Sequence, residues 1–154
     1  MEIERKWLVK EVPDLSNVRS ETICQAYICT SPVIRVRQQG SRFILTVKGG
    51  GLMAREEMNL PLDEPTFYRL LTKSEGRIIK KTRYFLPQED GLMVELDHFE
   101  SPMDGLYLAE IEFPTVEEAK AFPGLPWFGE DVTEDIRYHN SVMSKMNEST
   151  GGSQ

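Results

Sequence analysis

The 154-residue sequence has no long apolar run, few cysteines and fewer positive than negative charges, and each shortage excludes a class of protein. No apolar stretch approaches the roughly 20 residues of a transmembrane helix, and the acidic N-terminus lacks the basic and apolar regions of a signal peptide. A net charge of -7 argues against a general nucleic-acid binder, because affinity for phosphate backbones is usually built on a net basic surface. We therefore predict a cytoplasmic protein that binds neither membranes nor nucleic acids.

The cysteine content and the length point to one ordinary globular domain. Cys24 and Cys29 are too few to form a metal cage and fit reduced thiols in a cytosolic protein. An apolar fraction of 40% is typical of soluble domains. We predict a single domain over residues 1–146, followed by a disordered tail over residues 147–154, which are rich in Ser, Thr and Gly.

Apolar and polar residues alternate along most of the chain, which is the pattern of β-strands with one buried face. The pattern predicts about eight strands, over residues 2–9, 21–30, 33–38, 43–48, 55–60, 78–86, 92–99 and 106–113. Three short helices and a loop are predicted between or after them: Glu64–Glu75, Thr115 to Ala121 with a Thr115–Glu118 capping box, a last helix capped by Thr133 and reaching Met146, and the loop Pro123–Gly129. The fold class is thus mainly β (α+β), as an antiparallel barrel or strongly curved sheet.

Full charges of both signs occupy one face of nearly every predicted strand, whereas the opposite faces are mostly apolar. The charged positions are Lys6, Arg35, Arg37, Lys48, Arg55, Lys81 and Arg83, together with Glu2, Glu4, Glu57, Glu95, Asp97, Glu110 and Glu112. Solvent-facing positions usually mix Ser, Thr, Gln and Lys instead. Inside a closed barrel, so many charges would repel one another unless a ligand were bound. We therefore predict an interior that binds a polyanion through its bases and cations through its acids.

This set of residues resembles the CYTH superfamily, the triphosphate tunnel metalloenzymes. Its motifs are Glu2-x-Glu4-x-Lys6, Arg35-x-Arg37, Thr46-x-Lys48, Arg55-x-Glu57, Lys81-Thr82-Arg83-Tyr84, Glu95-x-Asp97 and Glu110-x-Glu112. The opening motif alone arises easily by chance, but seven motifs in the family's order make the match specific. The resemblance spans roughly residues 1 to 145, and the segment from Trp127 to Asn140 is similar to the closing segment of the short bacterial members.

The resemblance implies an eight-stranded antiparallel tunnel with a few short flanking helices, which binds a triphosphate with Mg²⁺ or Mn²⁺ and in most members hydrolyses it. The expected metal ligands are Glu2, Glu4, Asp97, Glu110 and Glu112. The expected phosphate ligands are Lys6, Arg35, Arg37, Lys48, Arg55, Lys81 and Arg83. Glu95 is expected to orient an arginine, and both Arg55 and Glu95 fit equally well as members of structural ion pairs.

Two ways of activating the attacking water remain open at the level of sequence. Bound metal lowers the pKa of a water molecule. Alternatively a tunnel side chain acts directly, and Tyr27 is the candidate, since strand parity points it inward near Lys48 or Lys81. Glu57 is expected to hold one of the bases or a metal-bound water. The candidate catalytic residues are therefore Glu57, Tyr27 and Lys81.

The inward positions predict the substrate, because nearly all of them are charged. Recognition of a base or of thiamine needs apolar and aromatic side chains at the tunnel mouth. This favours hydrolysis of inorganic tripolyphosphate to pyrophosphate and phosphate, which short bacterial members are said to prefer. The alternatives are a thiamine or nucleoside triphosphatase, a class IV adenylate cyclase, and a non-catalytic sensor of polyphosphate or nucleotide.

Two positions depart from the family pattern. Asn59 stands where relatives often carry a further Glu, and this change is expected to alter metal affinity. His139 occupies a position where Lys or Ser is common, and we predict that it lies outside the tunnel. His98 falls on the apolar face of its strand and is predicted to be a packing or surface residue.

Overall fold

Ten antiparallel β-strands form one continuous sheet in the computed structural model, which describes residues 1–145. The strands are β1 (Glu2–Val9), β2 (Arg19–Thr30), β3 (Val33–Gln39), β4 (Arg42–Lys48), β5 (Ala54–Arg55), β6 (Glu57–Leu62), β7 (Glu75–Pro87), β8 (Met93–Ser101), β9 (Tyr107–Glu112) and β10 (Phe128–Asp131). Their order across the sheet is β10-β1-β9-β8-β7-β2-β3-β4-β6, and β5 pairs with β1. The mainly β, antiparallel fold class is confirmed.

The short strand β5 turns this sheet into a nearly closed barrel. It pairs with β1 through Glu2 opposite Arg55, and it is separated by one residue from β6, which pairs with β4 at the far end of the sheet order. The strand count differs from the predicted eight for two reasons. The predicted strand over residues 55–60 divides into β5 and β6, and β10 begins inside the predicted loop Pro123–Gly129.

Helices cover the outer, apolar faces of the barrel. Helix α1 (Glu64–Leu71) begins at the N-cap Asp63, and its buried Phe67 packs with Ala26 and Val36. Helix α2 (Val116–Ala121) begins at Thr115, which accepts a hydrogen bond from the Glu118 amide as the capping box predicts. The prediction that α1 continues to Glu75 is wrong, because Glu75 already belongs to β7.

The C-terminal segment differs from the single predicted helix. It consists of a 3-10 turn over Ile136–Tyr138, capped by Asp135, and helix α3 (Asn140–Met143). Thr133 does not cap either one, because its hydroxyl accepts from the Lys6 amide at 3.0 Å and donates to Asp131 at 2.6 Å. Thr133 therefore ties this segment to β1. Met146 and the predicted tail lie outside the described residues.

One end of the barrel interior is filled by apolar side chains. Tyr27, Ile79, Phe99 and Leu108 point inward there and pack with Met143 of α3. Because this end is occupied by a packed core, the polar cavity occupies the remainder of the interior. No helix within residues 1–145 is long and apolar enough to cross a membrane.

Candidate active site

A cavity of about 680 Å³ occupies the barrel interior and collects the charged strand faces. All but one of the predicted site residues line it: Glu2, Glu4, Lys6, Tyr27, Arg35, Arg37, Lys48, Arg55, Glu57, Lys81, Arg83, Glu110 and Glu112. Strand parity therefore identified the correct face on β1, β3, β4, β6, β7 and β9. The exception, Asp97, is fully buried behind the cavity wall.

Asp97 holds two of the bases in place. Its carboxylate accepts from Arg83 Nε at 2.7 Å and Nη2 at 2.9 Å, and it lies 2.7 Å from Lys81 Nζ. Burial raises the pKa of Asp97, but Arg83 and Lys81 outweigh this and leave the pKa below its usual range. Glu95 pairs with Arg83 at 3.2 Å, as expected for a residue that orients an arginine.

The other two lysines of the cavity, Lys6 and Lys48, also have carboxylate partners. Lys6 lies 3.3 Å from Glu110 and donates to the Tyr138 carbonyl at 3.0 Å. Lys48 lies 2.8 Å from Glu2 and 3.8 Å from Glu57. Each ammonium has three N–H donors, so these contacts fix its position and also offset part of its charge.

Three arginines face the cavity without an ion pair to any described carboxylate. Arg35 donates to the Thr46 hydroxyl at 3.2 Å, and its buried Nε has no hydrogen-bond partner in the described structure. Arg37 donates to the side-chain oxygens of Gln25 at 2.8 Å and Gln39 at 3.2 Å, and Arg55 lines the cavity without a recorded side-chain partner within residues 1–145. Burial, Arg35 and Arg83 lower the pKa of Arg37 to about 9. This group is therefore positive charge that lacks an anion.

A second group, Glu4 and Glu112, consists of carboxyl groups without an ion-pair partner among residues 1–145. Burial, Glu110 and Glu2 raise the pKa of Glu4 to about 8, and burial together with Glu2 and Glu57 raises the pKa of Glu112. No three acidic, histidine or cysteine side chains between residues 1 and 145 converge on one point as a finished metal site. By donor chemistry the cluster nevertheless fits a hard divalent cation, since it offers carboxylate oxygens whose mutual repulsion a cation would relieve.

Lys81 is the most deeply buried base of the cavity. Besides Asp97, it donates to the side-chain oxygen of Asn140 at 3.0 Å. Burial lowers the pKa of Lys81 to about 7, although Asp97 opposes the shift. Its amino group is therefore poised to gain or lose a proton near neutral pH.

Tyr27 points inward as predicted, but its hydrogen-bond partner is an amide. The Gln25 side-chain nitrogen donates to the Tyr27 hydroxyl at 3.1 Å, and that hydroxyl makes no hydrogen bond with a lysine among residues 1–145. Both side chains are buried, at 2% and 0% exposure.

Several uncharged polar residues of the site were not predicted as site residues, although Thr46 belongs to the Thr46-x-Lys48 motif. They are Gln25, Gln39, Thr46 and Asn140. Parity already places Gln25 beside Tyr27, so the alternation itself was the available signal. Asn59 accepts from Thr46 at 2.6 Å and donates to Glu57 at 3.2 Å.

The two histidines behave differently. The prediction that His139 lies outside the tunnel is wrong: its side chain lines the cavity, because the 3-10 turn folds back over the barrel and its ring nitrogen reaches the Thr133 carbonyl at 2.9 Å. His98 stacks on Tyr107 with ring centroids 4.1 Å apart, as a packing residue would.

The cavity wall also has an apolar section that parity did not predict. It consists of Ile44 and Pro61, which pair across β4 and β6. Their neighbours Phe43 and Leu62 border the cavity but pack against the outer cluster around Phe67 of α1. The expectation that inward positions are nearly all charged is therefore incomplete, since this section gives an organic group a surface to pack on.

Comparisons with known proteins agree with this site. The chain is 40% identical over 146 residues to an inorganic triphosphatase of Nitrosomonas europaea, covering 93% of this chain and 96% of the relative. It is 35% identical over 149 residues to an inorganic triphosphatase of Acetivibrio thermocellus, covering 94% and 93%. The crystal structure of an inorganic triphosphatase superposes with a TM-score of 0.70 at 37% identity, covering 96% of both chains. No protein-family model matches the chain. With the tunnel, its charged interior and these full-length relatives in agreement, the chain belongs to the CYTH family of inorganic triphosphatases.

Proposed function

We propose that this chain hydrolyses inorganic tripolyphosphate inside the barrel and releases pyrophosphate and orthophosphate. The observation that carries the proposal is the group Arg35, Arg37 and Arg55, which faces the cavity without a described carboxylate partner. A polyphosphate supplies the missing negative charge, and its oxygens accept from guanidinium groups bidentately. The two full-length relatives named as inorganic triphosphatases support the same reaction.

In this proposal the remaining bases complete the grip on the phosphates. Carboxylates hold Lys6, Lys48 and Arg83 in place at the cavity wall. Fixing these groups before substrate binds lowers the entropy cost of positioning the chain of phosphates. The free thiols of Cys24 and Cys29 support a location in the reducing cytoplasm.

We assign the metal ligands to the carboxylate cluster, with Mg²⁺ or Mn²⁺ as the cation. The cation would be held by Glu2, Glu4, Glu110 and Glu112, which line the cavity. Of the predicted ligands Asp97 has the least support, because it does not line the cavity and Lys81 and Arg83 engage its oxygens. When bound, the metal neutralises phosphate oxygens and makes a water molecule more acidic.

Proton transfer would fall to the inward side chains that are not pure ligands. Lys81 Nζ, with its lowered pKa, and the Tyr27 hydroxyl both reach the cavity wall. Glu57, held by Asn59 and near Lys48, fits the orienting role expected for it. Phosphoryl transfer to water needs chiefly a held phosphate, neutralised charge and an aligned water, which these groups provide together.

A second candidate is hydrolysis of an organic triphosphate, such as a nucleoside or thiamine triphosphate. The apolar section at Ile44 and Pro61 favours it, because a base or thiazole ring would pack there while the phosphates reach the arginines.

The test is phosphate release from tripolyphosphate, ATP and thiamine triphosphate, each with Mg²⁺, Mn²⁺ or chelator. We expect metal-dependent turnover that is fastest on tripolyphosphate and is lost in Glu4→Gln. Glu117→Gln removes an exposed carboxylate of α2 and serves as the matched control. Faster turnover of an organic substrate would select the second candidate. Tight binding of tripolyphosphate without any phosphate release would instead indicate a sensor.

A further inference from the structure

Gln25 lies between a phosphate-binding arginine and the inward tyrosine. It sits on β2 directly opposite Arg37 of β3, two residues before Tyr27 on the same face. Its side-chain oxygen accepts from Arg37 Nε at 2.8 Å, and its nitrogen donates to the Tyr27 hydroxyl at 3.1 Å. The side chain is fully buried, so no solvent competes for these bonds.

The donor and acceptor inventory leaves this amide a single orientation. An arginine side chain only donates, so the amide oxygen must face Arg37 and the amide nitrogen must then face Tyr27. The tyrosine oxygen therefore acts as the acceptor of this bond. Its own O–H proton is not used by Gln25 and is left for a partner in the cavity.

The neutrality of the amide matters as much as its direction. A carboxylate at this position would also hold Arg37, but it would offset the charge that a polyphosphate needs, as Asp97 does for Arg83. Arg37 meets a second neutral acceptor in Gln39 at 3.2 Å. The arginine is thus oriented by side chains that leave its charge intact.

From this geometry, and resting on the proposed triphosphatase function, we infer that Gln25 is a positioning residue with two effects: it presents Arg37 to the substrate with its full charge, and it directs the Tyr27 proton into the cavity. The two effects are separable, because the first acts on binding and the second on turnover.

The first arm of the test measures binding of tripolyphosphate by calorimetry in chelator, where no turnover is required. Gln25→Glu should weaken binding by roughly 10- to 100-fold, the range expected when a charge-assisted hydrogen bond to substrate is lost. The control Gln38→Glu adds the same charge on the opposite face of β3 and should leave binding unchanged. If folded Gln25→Glu bound tripolyphosphate with unchanged affinity, the neutral charge of Gln25 would not matter for binding through Arg37, and this part of the inference would be overturned.

The second arm measures kcat with metal in a double-mutant cycle. Gln25→Met keeps the length of the side chain and removes both hydrogen bonds, so it should lower kcat roughly 10-fold in the wild-type background and change it little when Tyr27→Phe is already present. Equal losses in both backgrounds, or a Tyr27→Phe variant with unchanged kcat, would overturn the coupling to Tyr27. A wild-type chain that binds tripolyphosphate but releases no phosphate would refute the triphosphatase function, while the binding arm would still decide the effect on Arg37.

Discussion

Glu4 is a carboxylate that its surroundings disfavour as an anion until a cation is present. Its folded-state pKa of about 8 lies above the usual 4.5 of an unfolded chain, so the folded metal-free protein binds a proton there more tightly than the unfolded chain does. The free energy of unfolding is therefore highest, as far as Glu4 is concerned, below the unfolded-state pKa, and it decreases as the pH rises toward 8.

We predict that Glu4→Gln stabilises the metal-free protein at pH 9 by roughly 1–3 kcal/mol and has little effect near pH 5, because the amide cannot ionise. Thermal unfolding in chelator at both pH values measures this. Glu117→Gln should show no such pH dependence. A gain of equal size at both pH values would contradict the ionisation argument.

Asn59 is a neutral residue linked to Arg35 through the hydroxyl of Thr46. Thr46 accepts from Arg35 and donates to Asn59, so a carboxylate at residue 59 would lie one hydroxyl away from the guanidinium. We predict that Asn59→Asp weakens metal-free binding of tripolyphosphate by about 10-fold, since it offsets part of the arginine charge. Calorimetry in chelator measures the change, and Asn17→Asp in an exposed turn is the control. Unaltered binding would show that Thr46 does not transmit the effect.

The sequence predicted which strand face each charged residue occupies, but not which side chains it contacts. Alternation placed Arg35, Arg37 and Lys81 in the tunnel, because a strand has only two faces. It could not show that Asp97 is shared by Lys81 and Arg83, because that depends on the pairing of β7 with β8 and on side-chain conformations. Gln25 was passed over because alternation gives the face of an uncharged residue but not its hydrogen-bond partners.

Helix α3 is held against the barrel at a position where only glycine fits. Gly76 of β7 has φ of +74°, and a Cβ there would collide with the Ser144 carbonyl oxygen just after α3. The same helix begins with Asn140, whose side chain contacts Lys81. Displacing α3 should therefore disturb the site as well as the fold.

We predict that Gly76→Ala destabilises the protein by about 2–4 kcal/mol, through backbone strain and the collision, and lowers kcat. Urea unfolding and steady-state kinetics measure the two effects. Gly91→Ala is the matched control, because Gly91 has φ of +86° but open space around its Cα. If the two variants lost equal stability, the contact with Ser144 would contribute nothing.

The elements that the sequence missed are those stabilised by distant partners. Strand β10 has only four residues, Phe-Gly-Glu-Asp, with little strand propensity, and it forms by pairing with β1 more than a hundred residues away. The last predicted helix failed for a related reason. Threonine is a common N-cap residue, but the hydroxyl of Thr133 is used in hydrogen bonds with the Lys6 amide and the Asp131 carboxylate instead.

The barrel as a whole holds two unbalanced charge groups in one cavity: arginines that lack an anion, and carboxylates that lack a cation. The polyphosphate offsets the charge of the arginines, and the divalent cation offsets the charge of the carboxylates. Each bound ligand also attracts the second ligand, because a polyphosphate and a divalent cation bind one another. Their effects on stability should therefore be coupled rather than independent.

We predict that Mg²⁺ alone and tripolyphosphate alone each raise the unfolding temperature slightly, and that the two together raise it by more than the sum of the separate shifts. Thermal unfolding with each ligand and with both, at fixed concentrations, measures the coupling. The measurement is made in the Tyr27→Phe background, which we expect to hydrolyse tripolyphosphate slowly. Arg37→Gln should reduce the tripolyphosphate shift, Glu4→Gln should reduce the Mg²⁺ shift, and either change should diminish the excess. Strictly additive shifts would mean that the two ligands occupy the cavity without contacting each other, and the barrel would then not hold a metal–triphosphate complex.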